Sequence, residues 1–100
     1  MSLFEKLKSE LDRRKIELHK FQNFADDLVG SGLPEYDQQA IKDILTIKKL
    51  QVFTLEDENR YNDPKQIPHM LSDADALANE ELSILGRWKK REIDQLLTLT

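Results

Sequence analysis

The run SLFEKLKSELDRRKIELHKFQNFADDLV, Ser2–Val29, decides how the rest of the chain is read. Phe4, Leu7, Leu11, Leu18, Phe21, Ala25 and Leu28 fall at the three- and four-residue steps that put side chains on one stripe of an α-helix. Ser2 stands three residues before Glu5. In such a Ser-x-x-Glu capping box each side chain satisfies a backbone N–H that the first helical turn leaves without a partner. No Gly or Pro follows until Gly30. At 1.5 Å rise per residue the helix is roughly 40 Å long, whereas a compact domain of 100 residues has a radius of gyration of about 13 Å. Such a helix has to lie along a comparably long partner, in its own chain or in another.

Arg14 is the one break in the stripe. Its expected accommodation is a packed stem with the head reaching water, aided by Glu10 one turn earlier. The other reading makes it a register-setting polar residue in an oligomer seam.

Downstream, Gly30-Ser31-Gly32 is read as the stop of the first helix and Pro34 as part of the first turn of the next. Glu35 and Asp37 then sit where they complement the helix dipole. The second helix is predicted from Glu35 to about Gln51, with Tyr36, Ala40, Ile41, Ile44, Leu45, Ile47 and Leu50 on its apolar side. The β-prone run Gln51–Leu55 has no evident strand to pair with and is read as continued helix or a break. Thr54, with Asp57 three residues on, is expected to cap a short helix from Leu55 to Tyr61. Pro64 and Pro68 mark Asn62–Leu71 as an irregular connection. Ser72 is the predicted cap of a last helix to about Leu97, with Ala74, Ala78, Leu82, Leu85, Ile93 and Leu96 on one face and Trp88 beside it. Gly86 inside it suggests a kink or a close backbone approach.

The expected fold is therefore all-α: one domain over residues 1–100, a small helical bundle with long N- and C-terminal helices packed on a shorter middle helix. Scarce Gly and Pro, three of each, favour this over a turn-rich sheet protein. A net charge of −4 argues against a general nucleic-acid-coating role. The absence of cysteine excludes disulfides, thiolate zinc sites and cysteine nucleophiles. With no leader-like segment and no apolar run approaching the roughly 20 residues of a membrane span, the expectation is a cytoplasmic protein without membrane partners.

No constellation carries catalytic or metal chemistry. His19 and His69 have no carboxylate or second histidine at helical metal-pair spacing. Asp57-x-Asn59-x-Tyr61-x-Asp63 fails as a calcium loop, with Asn62 at the glycine position and Pro68 at the bidentate glutamate position. Asp26-Asp27 opposes the dipole at the end of the first helix and reads as a solvated pair. No enzyme activity, cofactor or metal is expected.

Two functional expectations remain. The leading one is a non-catalytic protein–protein interaction module (an adaptor, inhibitor or assembly subunit) whose partner is another protein or a second copy of the chain. Phe4, Leu7, Leu11, Arg14, Leu18, Phe21 and Leu28 are its candidate interface, with surplus apolar surface sought near Phe4 and Phe21–Leu28. The alternative is a DNA-binding regulator that reads with Ser83–Gln95 after a faint helix-turn-helix cadence, through Arg87, Lys90 and Arg91. Glu80 and Asp94 dilute that basic patch.

Overall fold

The computed structural model describes residues 2–29 and 31–99, except the side chains of Val29 and of 92–99. The helix stop expected at Gly30, and the side chains of Ile93 and Leu96, lie outside the described residues. Four helices follow one another: α1 Leu3–Val29, α2 Glu35–Glu56, the single turn α3 Glu58–Tyr61, and α4 Ile67–Leu99. This is the all-helical bundle with long outer helices and a shorter middle one.

The start of α1 is the predicted one. The Glu5 backbone N–H donates to Ser2 Oγ at 3.1 Å, and the Lys6 N–H donates to the Ser2 carbonyl at 3.0 Å. Gly32 has φ +70°, a left-handed conformation that suits glycine in the connection to α2. Pro34 is the N-cap of α2, one position before its first turn, and its carbonyl accepts the Gln38 N–H at 3.1 Å.

Three boundaries differ from expectation. α2 runs through the β-prone stretch to Glu56, because Gln51, Val52 and Leu55 all bury on its inner side. Thr54 is consequently inside α2, and Asp57 is the residue that caps α3, accepting the Asn59 N–H at 3.1 Å. α4 begins at Ile67 rather than Ser72. Pro68 does not break it, since a proline in the first turn lacks only an N–H that has no intrahelical partner there. The Met70 N–H reaches back to the Gln66 carbonyl at 2.9 Å. The irregular connection thus shrinks to residues 62–66, where the Asp63 side chain accepts the Lys65 N–H at 3.0 Å.

Packing follows a spine-and-arms plan. α2 runs antiparallel to α1 and to α4 and packs along both, while α1 and α4 touch each other far less. The cover for each long helix is the shorter α2, as expected. Leu7, Leu55, Ile67, Met70 and Ala74 form the buried cluster at one end, with Leu11, Tyr61 and Leu71 against it. At the opposite end Ala25, Ala40, Ile41 and Ile44 are buried. The result is an elongated body, 55 × 24 × 21 Å, with a radius of gyration of 16.5 Å.

The face assigned to α4 is corrected too. Ile67, Met70 and Ala74 bury and Leu77, Ala78, Ile84, Leu85 and Trp88 half-bury, but Leu82 is 62% exposed. A Cβ built on Gly86 meets nothing within 4 Å, so that glycine serves no close approach inside the chain.

Truncating a side chain of the buried cluster tests this core. Leu55→Ala should lower unfolding free energy by about 2–5 kcal/mol, measured by urea denaturation. Phe53→Ala, on the exposed side of the same helix, should change it by less than about 1 kcal/mol.

Candidate interaction groove

Among the described residues two polar side chains are buried, Arg14 and Gln51. They belong to one layer that crosses all three long helices. The Arg14 guanidinium donates through Nη1 to Gln51 Oε1 at 2.6 Å and to the Ala74 carbonyl at 3.4 Å. Through Nη2 it donates to Glu10 Oε2 at 3.1 Å and Asp75 Oδ1 at 3.0 Å. Gln51 Nε2 donates in turn to Glu81 Oε1 at 3.0 Å, and Lys48 Nζ donates to Glu81 Oε2 at 3.1 Å. Among the described residues only Arg14 Nε is buried without a partner.

At 5% exposure the Arg14 head does not reach water, so the snorkelling reading is corrected. Burial is tolerated because four acceptors face the guanidinium, and the pair with Glu10 is one of them. Glu10 is drawn further by Arg13, whose guanidinium lies 2.7 Å from it and 2.8 Å from Glu17. The hydrogen bond from Arg13 is the largest cause holding the Glu10 carboxyl below its ordinary range, against a partial desolvation that acts the other way.

Beyond this layer α1 and α4 diverge, and α2 forms the floor of a groove between them. Phe24 and Leu28 of α1, Leu85, Trp88 and Lys89 of α4, Leu33 of the connection before α2, and Asp37 in the first turn of α2 line a cleft of about 330 Å³. Phe24 is 47% exposed and its ring lies 5.9 Å from that of Phe21. The Trp88 indole N–H donates to Asp37 Oδ1 at 2.8 Å, which fixes the ring as a wall of the groove. Lys48 Nζ sits 5.4 Å from the Phe21 ring at the groove's inner end. The lining is mostly apolar, with Asp37 and Lys89 as its charged members, suited to an amphipathic helix and carrying no nucleophile–base pair.

The candidate interface residues are placed unevenly. Leu7 and Arg14 are buried within the chain, and Leu11, Leu18, Phe21 and Leu28 are half-buried. Phe4 is exposed but stacks edge-on against Tyr61 with centroids 6.3 Å apart. Leu28 thus lines the groove and Phe21 sits beside Phe24 of its lining, while Phe4 lies in a separate cleft with Lys8 and Tyr61. Phe24, Leu82 and Lys89 were missed as interface candidates. Phe24 is one step off the α1 stripe, and that offset is the signal that would have found it.

The basic candidates lie on the other side of α4. Arg87 lines a cleft with Tyr36, Gln39 and Asp43. Arg91 stacks its guanidinium 3.7 Å from the Tyr36 ring centre, and Lys90 is exposed. Ser83 lies deep inside the unbroken α4, so the turn that a helix-turn-helix needs is absent before it. Asp57 and Asp73 are used locally, Asp73 by Arg60 at 3.1 Å, and His19 and His69 are exposed. Among the described residues no three His, Asp or Glu side chains gather as metal ligands do, and no described helix is long and apolar enough to cross a membrane.

Removing Arg14 alone strands buried Gln51. Arg14→Met should therefore lower unfolding free energy by about 1–3 kcal/mol. The triple variant Arg14→Met/Gln51→Leu/Glu81→Met should regain most of that loss, both read from urea midpoints at one protein concentration. The Glu10 pair carries a pH signature. A carboxyl held below its usual value of 4.5 stabilises the fold above that pH and loses the contribution as pH falls through its lowered value. The stability deficit of Glu10→Gln should thus be full at neutral pH and close progressively below pH 4.5, as followed by thermal melts across that window.

Set against known protein families, curated proteins and solved structures, the chain matches none of them.

Proposed function

We propose that this chain is a non-catalytic interaction module that receives an amphipathic helix in the groove between α1 and α4. The observation that carries this reading is the apolar lining left open to water: Phe24, Leu28, Leu33, Leu85 and Trp88 along one cleft. Phe24 is the most exposed of them and the other four are half-buried, so a covering helix gains the remaining part of the about 1.5–3 kcal/mol that full burial of each such side chain is worth. The strip lies between α1 and α4 with the start of α2 beneath it. That shape fits a helix laid lengthwise better than a compact small molecule.

The DNA-binding alternative receives less support. Its reading helix lacks the preceding turn, its Arg91 is held by Tyr36, and the chain carries a net charge of −4.

A photo-reactive amino acid at position 24, compared with one at position 53 on the outer side of α2, tests the proposal in cells of the native host. A discrete protein adduct at position 24, and none at position 53, is the expected result. If position 24 yields no adduct with any protein, the chain itself included, the reading is wrong.

A further inference from the structure

We infer that the helix received by the groove is α4 of a second copy, running antiparallel to the first copy's α4 with Leu82 at the two-fold axis. This inference rests on the interaction reading above and adds the identity of the partner.

The first support is surface area. A folded monomer of 11.7 kDa is expected to expose about 5,900 Å², and this chain exposes 7099 Å². The surplus of about 1,200 Å² goes with an elongated body of 55 × 24 × 21 Å, which leaves a long side of the chain for a second copy to cover.

The second support is charge complementarity. α4 carries two stripes. One turns inward, with Ile67, Met70 and Ala74 in the cluster that holds Leu7 and Leu55 and with Trp88 on Asp37 of α2. The other turns toward α1: Asp75 pairs with Arg14 there, and Lys89 lines the groove beside Phe24. Leu82 lies midway between them, seven residues from each, so all three fall on nearly one line of the helix. An antiparallel copy centred on Leu82 places its Lys89 opposite Asp75, its Asp75 opposite Lys89, and leucine on leucine. Asp75 is 72% exposed on its side chain and is open to such a contact while still held by Arg14.

The same register sets Ala78 opposite Gly86 of the second copy. The open space around Gly86 then lets the two backbones approach, a use that its surroundings within one chain do not supply. Directions agree as well. α1 and α4 both run antiparallel to α2, so a helix antiparallel to both arms gives each half alternating neighbours, as in an up-and-down four-helix bundle.

The test uses the full chain. Light scattering should give twice the chain mass over a dilution series. Leu82→Glu should give the monomer mass with an unchanged helical circular dichroism spectrum, since Leu82 is exposed within one chain. The chain has no cysteine, so Leu82→Cys with a short bis-maleimide should yield a covalent dimer and Phe53→Cys should yield little. Lys89→Asp should weaken association by about tenfold. A monomer at millimolar concentration, a dimer indifferent to Leu82→Glu, or cross-linking favoured through position 53 would each overturn the inference. A strict monomer that still forms adducts with a different protein through position 24 removes the second copy and leaves the interaction reading standing. Absence of every adduct removes both.

Discussion

A guanidinium taken out of water costs several kcal/mol unless its donors meet acceptors of matching geometry. The position of Arg14 therefore constrains everything around it. Its acceptors come from its own helix, from Gln51 on α2, and from Asp75 and the Ala74 carbonyl on α4. Sliding any long helix by one turn, about 5.4 Å, would separate at least one of these pairs and leave a buried polar group unsatisfied. An apolar core tolerates such slips far better, because leucine and isoleucine contacts are interchangeable along a helix. The polar layer thus selects one register among several of similar apolar burial, much as a single polar heptad residue does in a coiled coil.

The layer also sets the shape of the groove. α1 and α4 are drawn together where Arg14 meets Asp75, and near that level Leu7, Met70 and Ala74 close the core. Past it, the space between the arms holds Phe21 and Phe24 on one side and Leu85 and Trp88 on the other. The Trp88–Asp37 and Arg91–Tyr36 contacts tie the far half of α4 to the start of α2, so α4 cannot swing over to cover α1. Opening on that side is a consequence of how α4 is fastened, at Arg14 near one end and at α2 near the other.

Much of this was legible in the residues, and the failures have physical causes. The capped stripe from Ser2 gave α1 because its signals agree at every level: box, period and absence of breakers. Arg14 stood out as the odd residue, but its environment did not, since sequence spacing along one helix cannot reveal acceptors placed 37 and 61 residues away. Gln51 was read as an end and is instead the centre of the polar layer. Its neighbours Val52 and Phe53 suggested a strand, yet burial of Val52 and Leu55 against α1 and α4 overrides that local preference. Pro68 was read as a breaker because its tolerance depends on where the helix begins, and that beginning is set by Ile67 and Met70 entering the core.

Leu82 is the most instructive misplacement. Two apolar-bearing stripes on α4, one turned to α2 and one turned to the groove, lie within a fraction of a turn of each other. Helical periodicity adds them into a single broad face. The structure separates them: a half-buried strip on α2, ending at Trp88, and an exposed line on which Leu82 is flanked at equal distances by opposite charges. Leu82 is apolar on a line that its own chain does not cover. The reversal of charge about it, acid on one side and base on the other, is the pattern by which an antiparallel helix matches itself. The feature that blurs the intrachain face in the sequence is thus the same one that gives α4 a second, self-complementary face.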